Sequence, residues 1–112
     1  MNPLLEAALG LQNLLDGWNW RFCLIGGIAL LRWGEPRFTR DVDLALLTGF
    51  GHEDDYILPS LDAGYKGRIA DAAAFARRHR VLLVAAPNDI PVDIALAALP
   101  FEALAIERAS LF

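Results

Sequence analysis

The sequence is short of cysteine, lysine and histidine. A single cysteine, Cys23, excludes an internal disulfide and any multi-cysteine zinc site. Phe22 and Leu24 flank it, so a buried, inert thiol is expected, consistent with a reducing compartment. His52 and His79 are too few and too isolated for a zinc centre. No Walker A lysine is present, and Gly49-Phe50-Gly51 lacks the rest of a dinucleotide fingerprint. Positive charge is in deficit: the net charge is −4 and the pI about 5.0, which argues against a broad duplex-DNA footprint. A local basic patch stays open, because nine of the ten cationic residues are arginine. Long apolar runs are also missing. The longest uncharged one, from Phe22 to Leu31, is about half of what a bilayer span needs. The stretch from Met1 to Leu15 carries Glu6 and no basic residue, unlike a signal peptide. The expectation is a cytoplasmic chain with no membrane partner.

What is present suffices for a folded unit. Over 112 residues, 55% are hydrophobic and 21% charged, which excludes a disordered tail. A chain of this length buries roughly two-thirds of its unfolded surface. With no internal repeat, linker or composition break, residues 1–112 are expected to form a single domain. Leu4, Ala8, Leu11 and Leu15 predict a helix over 3–16, opened by Pro3 and closed by Gly17. Residues 20–25 read as a buried strand, 28–33 as a short helix, and 41–47 as a strand with Val42, Leu44 and Leu46 on one face. A helical turn is expected over 56–63. Ile69, Ala72, Ala73 and Ala76 mark a helix over 68–79, with Arg77, Arg78 and His79 in its last turn. Strands over 81–86 and 92–96, joined by a turn at 87–89, precede a final helix over 101–109. This order predicts a small mixed α/β (α+β) domain, its mixed sheet flanked by helices.

The segment richest in chemistry runs Arg37-Phe38-Thr39-Arg40-Asp41-Val42-Asp43-Leu44. Carboxylates at i and i+2 of a strand point to the same side and repel each other. A divalent cation relieves that conflict, and Mg²⁺ is usually held by one or two carboxylates together with substrate phosphates. In Pro91-Val92-Asp93-Ile94-Ala95-Leu96 the same alternation isolates Asp93. If both strands turn their apolar faces to one core, Asp93 joins Asp41 and Asp43, and three carboxylates can hold two metals for an in-line displacement. Gly26 and Gly27, between a strand and a short helix, allow a phosphate to approach the backbone closely. Each piece has a plainer reading: a solvated strand face for Asp41, Asp43 and Asp93, and turn-ordering residues for Arg37 and Thr39. Arg40 suits either a carboxylate or a phosphate. Arg77, Arg78, His79 and Arg80 read as a solvated helix end rather than an RNA groove, and Trp18, Trp20 and Trp33 as packing residues.

Together, Gly26-Gly27-Ile28-Ala29-Leu30 and Arg37-x-Thr39-x-Asp41-Val42-Asp43-Leu44 resemble the nucleotidyltransferase superfamily of polymerase-beta type, and most closely its AbiEii-like toxin branch. The segments Phe75 to Leu82, Val92-Asp93-Ile94 and Leu99-Pro100-Phe101-Glu102 are also similar to that branch. The resemblance implies a palm-like fold and transfer of a nucleoside monophosphate from an NTP to a hydroxyl, with Mg²⁺ or Mn²⁺ and release of pyrophosphate. It implies that Asp41, Asp43 and Asp93 are catalytic metal ligands, with Asp93 as the base-like carboxylate. It also implies that Gly26, Gly27, Arg37 and Thr39 hold the nucleotide. The acceptor is left open between tRNA and a protein hydroxyl, and an antitoxin or toxin partner is expected.

Relatives of this branch usually continue past the Leu-Pro-Phe-Glu segment, so the sequence is expected to be a short form. Two other roles follow from that: a minimal nucleotidyltransferase antitoxin, in which Gly-Ser is usual where Gly26-Gly27 stands, and a catalytically silent remnant kept as a binding module. The apolar stretch from Ala95 to Phe112 is expected to be covered by a second copy or a partner chain through Phe101, Leu104, Leu111 or Phe112.

Overall fold

Leucines and alanines at helical spacing build the first element, α1 (Pro3–Gly17), which buries Leu4, Ala7, Ala8, Leu11 and Leu15 along one stripe. Gly17 is its last residue, but the left-handed turn that ends it falls on Asn19, at φ 62°. There Trp18 N donates to Leu14 O and Trp20 N to Leu15 O, satisfying carbonyls the helix leaves over. The computed structural model describes residues 3–25 and 41–98. The expected helices over 28–33 and 101–109, together with Trp33, Phe101, Leu104, Leu111 and Phe112, lie outside the described residues.

Beyond α1 the described elements are β1 (Phe22–Ile25), β2 (Val42–Leu47), α2 (Asp54–Asp62), β3 (Lys66–Gly67), α3 (Ala72–His79), β4 (Val81–Ala85) and β5 (Pro91–Ala97). The five strands form one mixed sheet in the order β1-β2-β5-β4-β3. β2 and β5 run parallel, and the other neighbours are antiparallel. This is the mixed α/β class that the alternation of strand and helix patterns predicts.

Period-two alternation decides what each sheet face carries. Val42, Leu44 and Leu46 of β2, Leu82 and Val84 of β4, and Val92, Ile94 and Leu96 of β5 are all buried in one core. The α1 stripe, Ile57 of α2, and Ala72 and Ala76 of α3 join that same core. Trp18 and Trp20 pack against it, with Trp20 also against Tyr56 at 4.7 Å between ring centroids. The opposite face carries Asp43, Ala45 and Leu47 of β2 beside Asp93, Ala95 and Ala97 of β5. Here Cys23 and Ala97 are buried in a smaller cluster with Ala45 and Leu47, and burial pushes the Cys23 thiol up, in keeping with an unreactive cysteine.

Two elements differ from the sequence expectation. The helix expected over 68–79 begins at Ala72, because the Asp71 carboxylate accepts the Ala74 N–H at 3.1 Å and caps it. Ile69 therefore falls before the helix and is exposed instead of extending its apolar stripe. Just before the freed residues lies β3, which pairs Lys66 with Ala85 and Gly67 with Val84, and Arg68 follows it directly. The turn joining β4 to β5 is closed by Ala86 N donating to Ile90 O, with Asp89 at φ 69°. Asn88 of that turn donates to Pro3 O at 3.0 Å and ties the hairpin to the start of α1. No helix among the described residues is long and apolar enough to cross a membrane.

Candidate functional site

The carboxylates are brought side by side by the register of the parallel β2–β5 pair. Asp43 of β2 is the direct partner of Asp93 of β5. Neighbouring strands lie about 4.8 Å apart, and partners on a parallel pair present their side chains on the same face. Asp41, just before β2, stands two residues upstream of Asp43 and is half-buried like it. The electrostatic consequence falls on Asp43. Its carboxyl is held above the ordinary range, first by desolvation, then by the charges of Asp93 and Asp41, and Arg68 acts in the opposite direction.

Arg68 is the residue that sequence reading missed. It was expected inside a helix, and the structure places it directly after β3, where its N–H donates to Leu83 O at 3.0 Å. Leu83 is in turn the partner of Asp93 on β5. One row thus crosses the sheet through Arg68, Leu83, Asp93 and Asp43, and the Arg68 guanidinium reaches over β4 to donate to Asp93 Oδ1. The pair keeps about a third of each side chain in solvent, 29% for Arg68 and 33% for Asp93, so its net contribution to stability is of the order of 1 kcal/mol or less. The signal for this placement was in the sequence: an aspartate directly before the alanine-rich stripe is a helix N-cap, which frees Arg68 from the helix.

A second arginine departs from the expected solvated helix end. Arg80, at φ 59°, closes α3 and turns its guanidinium inward. It donates to Leu96 O at 3.0 Å, Glu53 Oε2 at 3.1 Å, Gly49 O at 3.3 Å and Thr48 Oγ1 at 3.4 Å, and lies 4.7 Å from the Phe50 ring centroid. Its backbone carbonyl accepts from Leu96 N at 2.9 Å. Arg80 is therefore a structural tie between α3, β5 and the loop after β2. Arg77 pairs with Asp54 at 2.6 Å across α2 and α3. His79 stacks on Phe75 at 4.4 Å.

Gly26, Gly27, Arg37, Thr39 and Arg40 lie outside the described residues. Of the expected site, the structure describes the three carboxylates and adds Arg68. The donor set of Asp41 and Asp43 suits a hard divalent cation that takes its remaining ligands from water and phosphate. Among the described residues no group of three or more His, Cys, Asp or Glu stands together as a ready metal cage. That accords with Asp93 being engaged by Arg68.

Comparison with known proteins gives a family match. The family model described as the nucleotidyl transferase AbiEii toxin of type IV toxin–antitoxin systems covers residues 11–83. The matched span includes the Gly26-Gly27 pair, Asp41, Asp43 and Arg68, and it ends before Asp93. No curated protein and no solved structure gives a significant match.

Proposed function

The chain belongs to the AbiEii family of nucleotidyl transferase toxins from type IV toxin–antitoxin systems, and from that premise we propose that it transfers a nucleoside monophosphate from an NTP to a hydroxyl group at the Asp41–Asp43–Asp93 carboxylates. The observation that carries this reading is the Asp43–Asp93 register: two acids side by side on a parallel pair whose other face is a packed apolar core. Such a juxtaposition costs folding energy, and a site that uses it to gather a cation and a triphosphate is the economical explanation.

In this reading Asp41, Asp43 and Asp93 would hold a divalent cation, Mg²⁺ or Mn²⁺, which when bound would supply positive charge to offset that of the triphosphate and the pyrophosphate. Asp93 orients the acceptor hydroxyl and takes its proton as the oxygen attacks the α-phosphate. Gly26, Gly27, Arg37 and Thr39, outside the described residues, are assigned to nucleotide binding in this reading on the family resemblance alone. The domain 1–112 acts as one cytoplasmic unit. Its acceptor is a tRNA end or a protein hydroxyl, and its cognate partner is an antitoxin.

The test is mass spectrometry of tRNA and of candidate partner proteins after incubation with each NTP and Mg²⁺. A mass gain of one nucleoside monophosphate, lost in Asp43→Asn, supports the reading. No gain with any NTP and acceptor, while the folded chain still binds a partner protein, supports a silent binding module instead. The engagement of Asp93 by Arg68 favours that second reading. Modification of a partner toxin, rather than of tRNA, would assign the chain to the antitoxin side.

A further inference from the structure

Arg68 occupies an unusual position relative to the acids. It sits in the same cross-sheet row as Asp93 and Asp43, separated from Asp93 only by Leu83 of β4. Two strand spacings are roughly 10 Å, a gap that a long arginine and an aspartate close only when both extend toward each other. The backbone of Arg68 is fixed by its bond to Leu83 O, whereas its guanidinium is held by Asp93 at the tip. The side chain can therefore leave Asp93 without breaking the sheet.

We propose that Arg68 is the internal counter-ion of the carboxylate row, a positioning residue that competes with a divalent cation for Asp93 and has to swing off it for the cation to be fully bound. This inference rests on the metal-binding reading above. A guanidinium is a permanent positive charge with donors suited to carboxylate oxygens, so it serves as a counter-charge that limits repulsion along the row. The pair is partly solvated and individually weak, which makes it exchangeable. A pair meant only to clamp β3 would gain little here, because β3 and Arg68 are already bonded to β4 through the backbone. Once off Asp93, the same guanidinium is free to meet phosphate oxygens.

The experiment titrates the full chain with Mn²⁺, by calorimetry and by electron paramagnetic resonance, and records melting with and without the ion. Wild type, Arg68→Gln, Arg68→Lys and Asp43→Asn are compared. The proposal expects Arg68→Gln to bind Mn²⁺ more tightly, by a factor of about three to ten, since no ion pair has to be broken first. It also expects the metal-free form of Arg68→Gln to melt lower and to gain more from Mn²⁺ than wild type. Arg68→Lys keeps the charge but not the planar fork, so its affinity is expected between the two. Equal or weaker Mn²⁺ binding by Arg68→Gln overturns the proposal. If that variant does not fold, an Arg68→Lys affinity no tighter than wild type does the same. Loss of Mn²⁺ binding in Asp43→Asn with no gain in Arg68→Gln sinks this inference alone. Wild-type affinity retained in Asp43→Asn, or no binding in any form, removes the metal-binding reading and this inference with it.

Discussion

Asp43 and Asp93 are direct partners across the parallel β2–β5 pair, so two acidic side chains share one rung of the sheet on the face away from the main core. Directly opposed like charges destabilise a sheet. Two features temper the cost here: both side chains are only half-buried, and Arg68 supplies a positive charge at the end of the row.

Asp43→Asn is expected to separate function from folding. The amide keeps the volume and removes the charge that a cation needs, so metal-dependent NTP binding and transfer should fall by more than about a hundredfold. Stability should move the other way. The folded state raises the Asp43 pKa, so the ionised group opposes folding at pH values above its folded pKa, and that cost fades as pH falls through it. Metal-free Asp43→Asn should therefore melt above wild type at neutral pH, with the difference shrinking in acid. Calorimetric melting across pH checks the sign.

Much of this arrangement was legible in the sequence. Alternation in 41–47 and 92–96 assigned Val42, Leu44, Leu46, Val92, Ile94 and Leu96 to one face, and all six are buried in the main core. What alternation cannot give is register: nothing local says that Asp43 rather than Ala45 stands beside Asp93, because strand pairing is set by the whole set of packed side chains. β3 was invisible for a related reason, since two residues have no periodicity. Arg80 was misjudged because a basic residue at a helix end usually points to water. Its four oxygen acceptors, on β5, Glu53 and the loop after β2, come together only in the fold, where its left-handed backbone turns the side chain inward.

Asp71 should behave as a cap and as a left-handed residue at once. Its φ is 52°, and its carboxylate accepts from Ala74 N. Asp71→Ala removes the acceptor and places a Cβ-bearing residue without local hydrogen bonding in the left-handed region, so a loss of about 2–3 kcal/mol is expected. Asp71→Asn keeps both properties and should lose little. Urea denaturation of the two variants provides the comparison, and equal losses would contradict the capping role.

Acid should act on Glu53. Gly51 N–H donates to both of its carboxylate oxygens, at 3.2 and 2.9 Å, and Arg80 donates to one of them. The carboxyl is held below its usual range by the Gly51 N–H first, then by its own backbone N–H and by Arg80. A depressed acid stabilises the fold above its unfolded pKa, and that contribution is lost as pH falls through the folded value. Glu53→Gln should therefore melt below wild type at neutral pH, and the two curves should converge at strongly acidic pH. A gap that stays constant with pH would mean that packing, not charge, is what the substitution removes.

Arg80 offers the largest single effect on stability outside the apolar core. Its side chain is 28% exposed and bonds to two backbone carbonyls, Leu96 O and Gly49 O, that belong to different parts of the chain. Arg80→Ala removes these donors together with the contact to Phe50, and the left-handed φ of 59° is unfavourable for alanine. Hydrogen bonds from a charged donor contribute about 1.5–3 kcal/mol, so a loss of about 3 kcal/mol is expected. Arg80→Gly relieves the backbone term but not the lost bonds, and should fall between Arg80→Ala and wild type. The metal site is a separate matter: Arg80 ties the helix-side loop, whereas Arg68 faces the acids. Both Arg80 variants, measured below their melting temperatures, should keep the wild-type Mn²⁺ affinity. A change in that affinity without a change in melting would move Arg80 from scaffold to site.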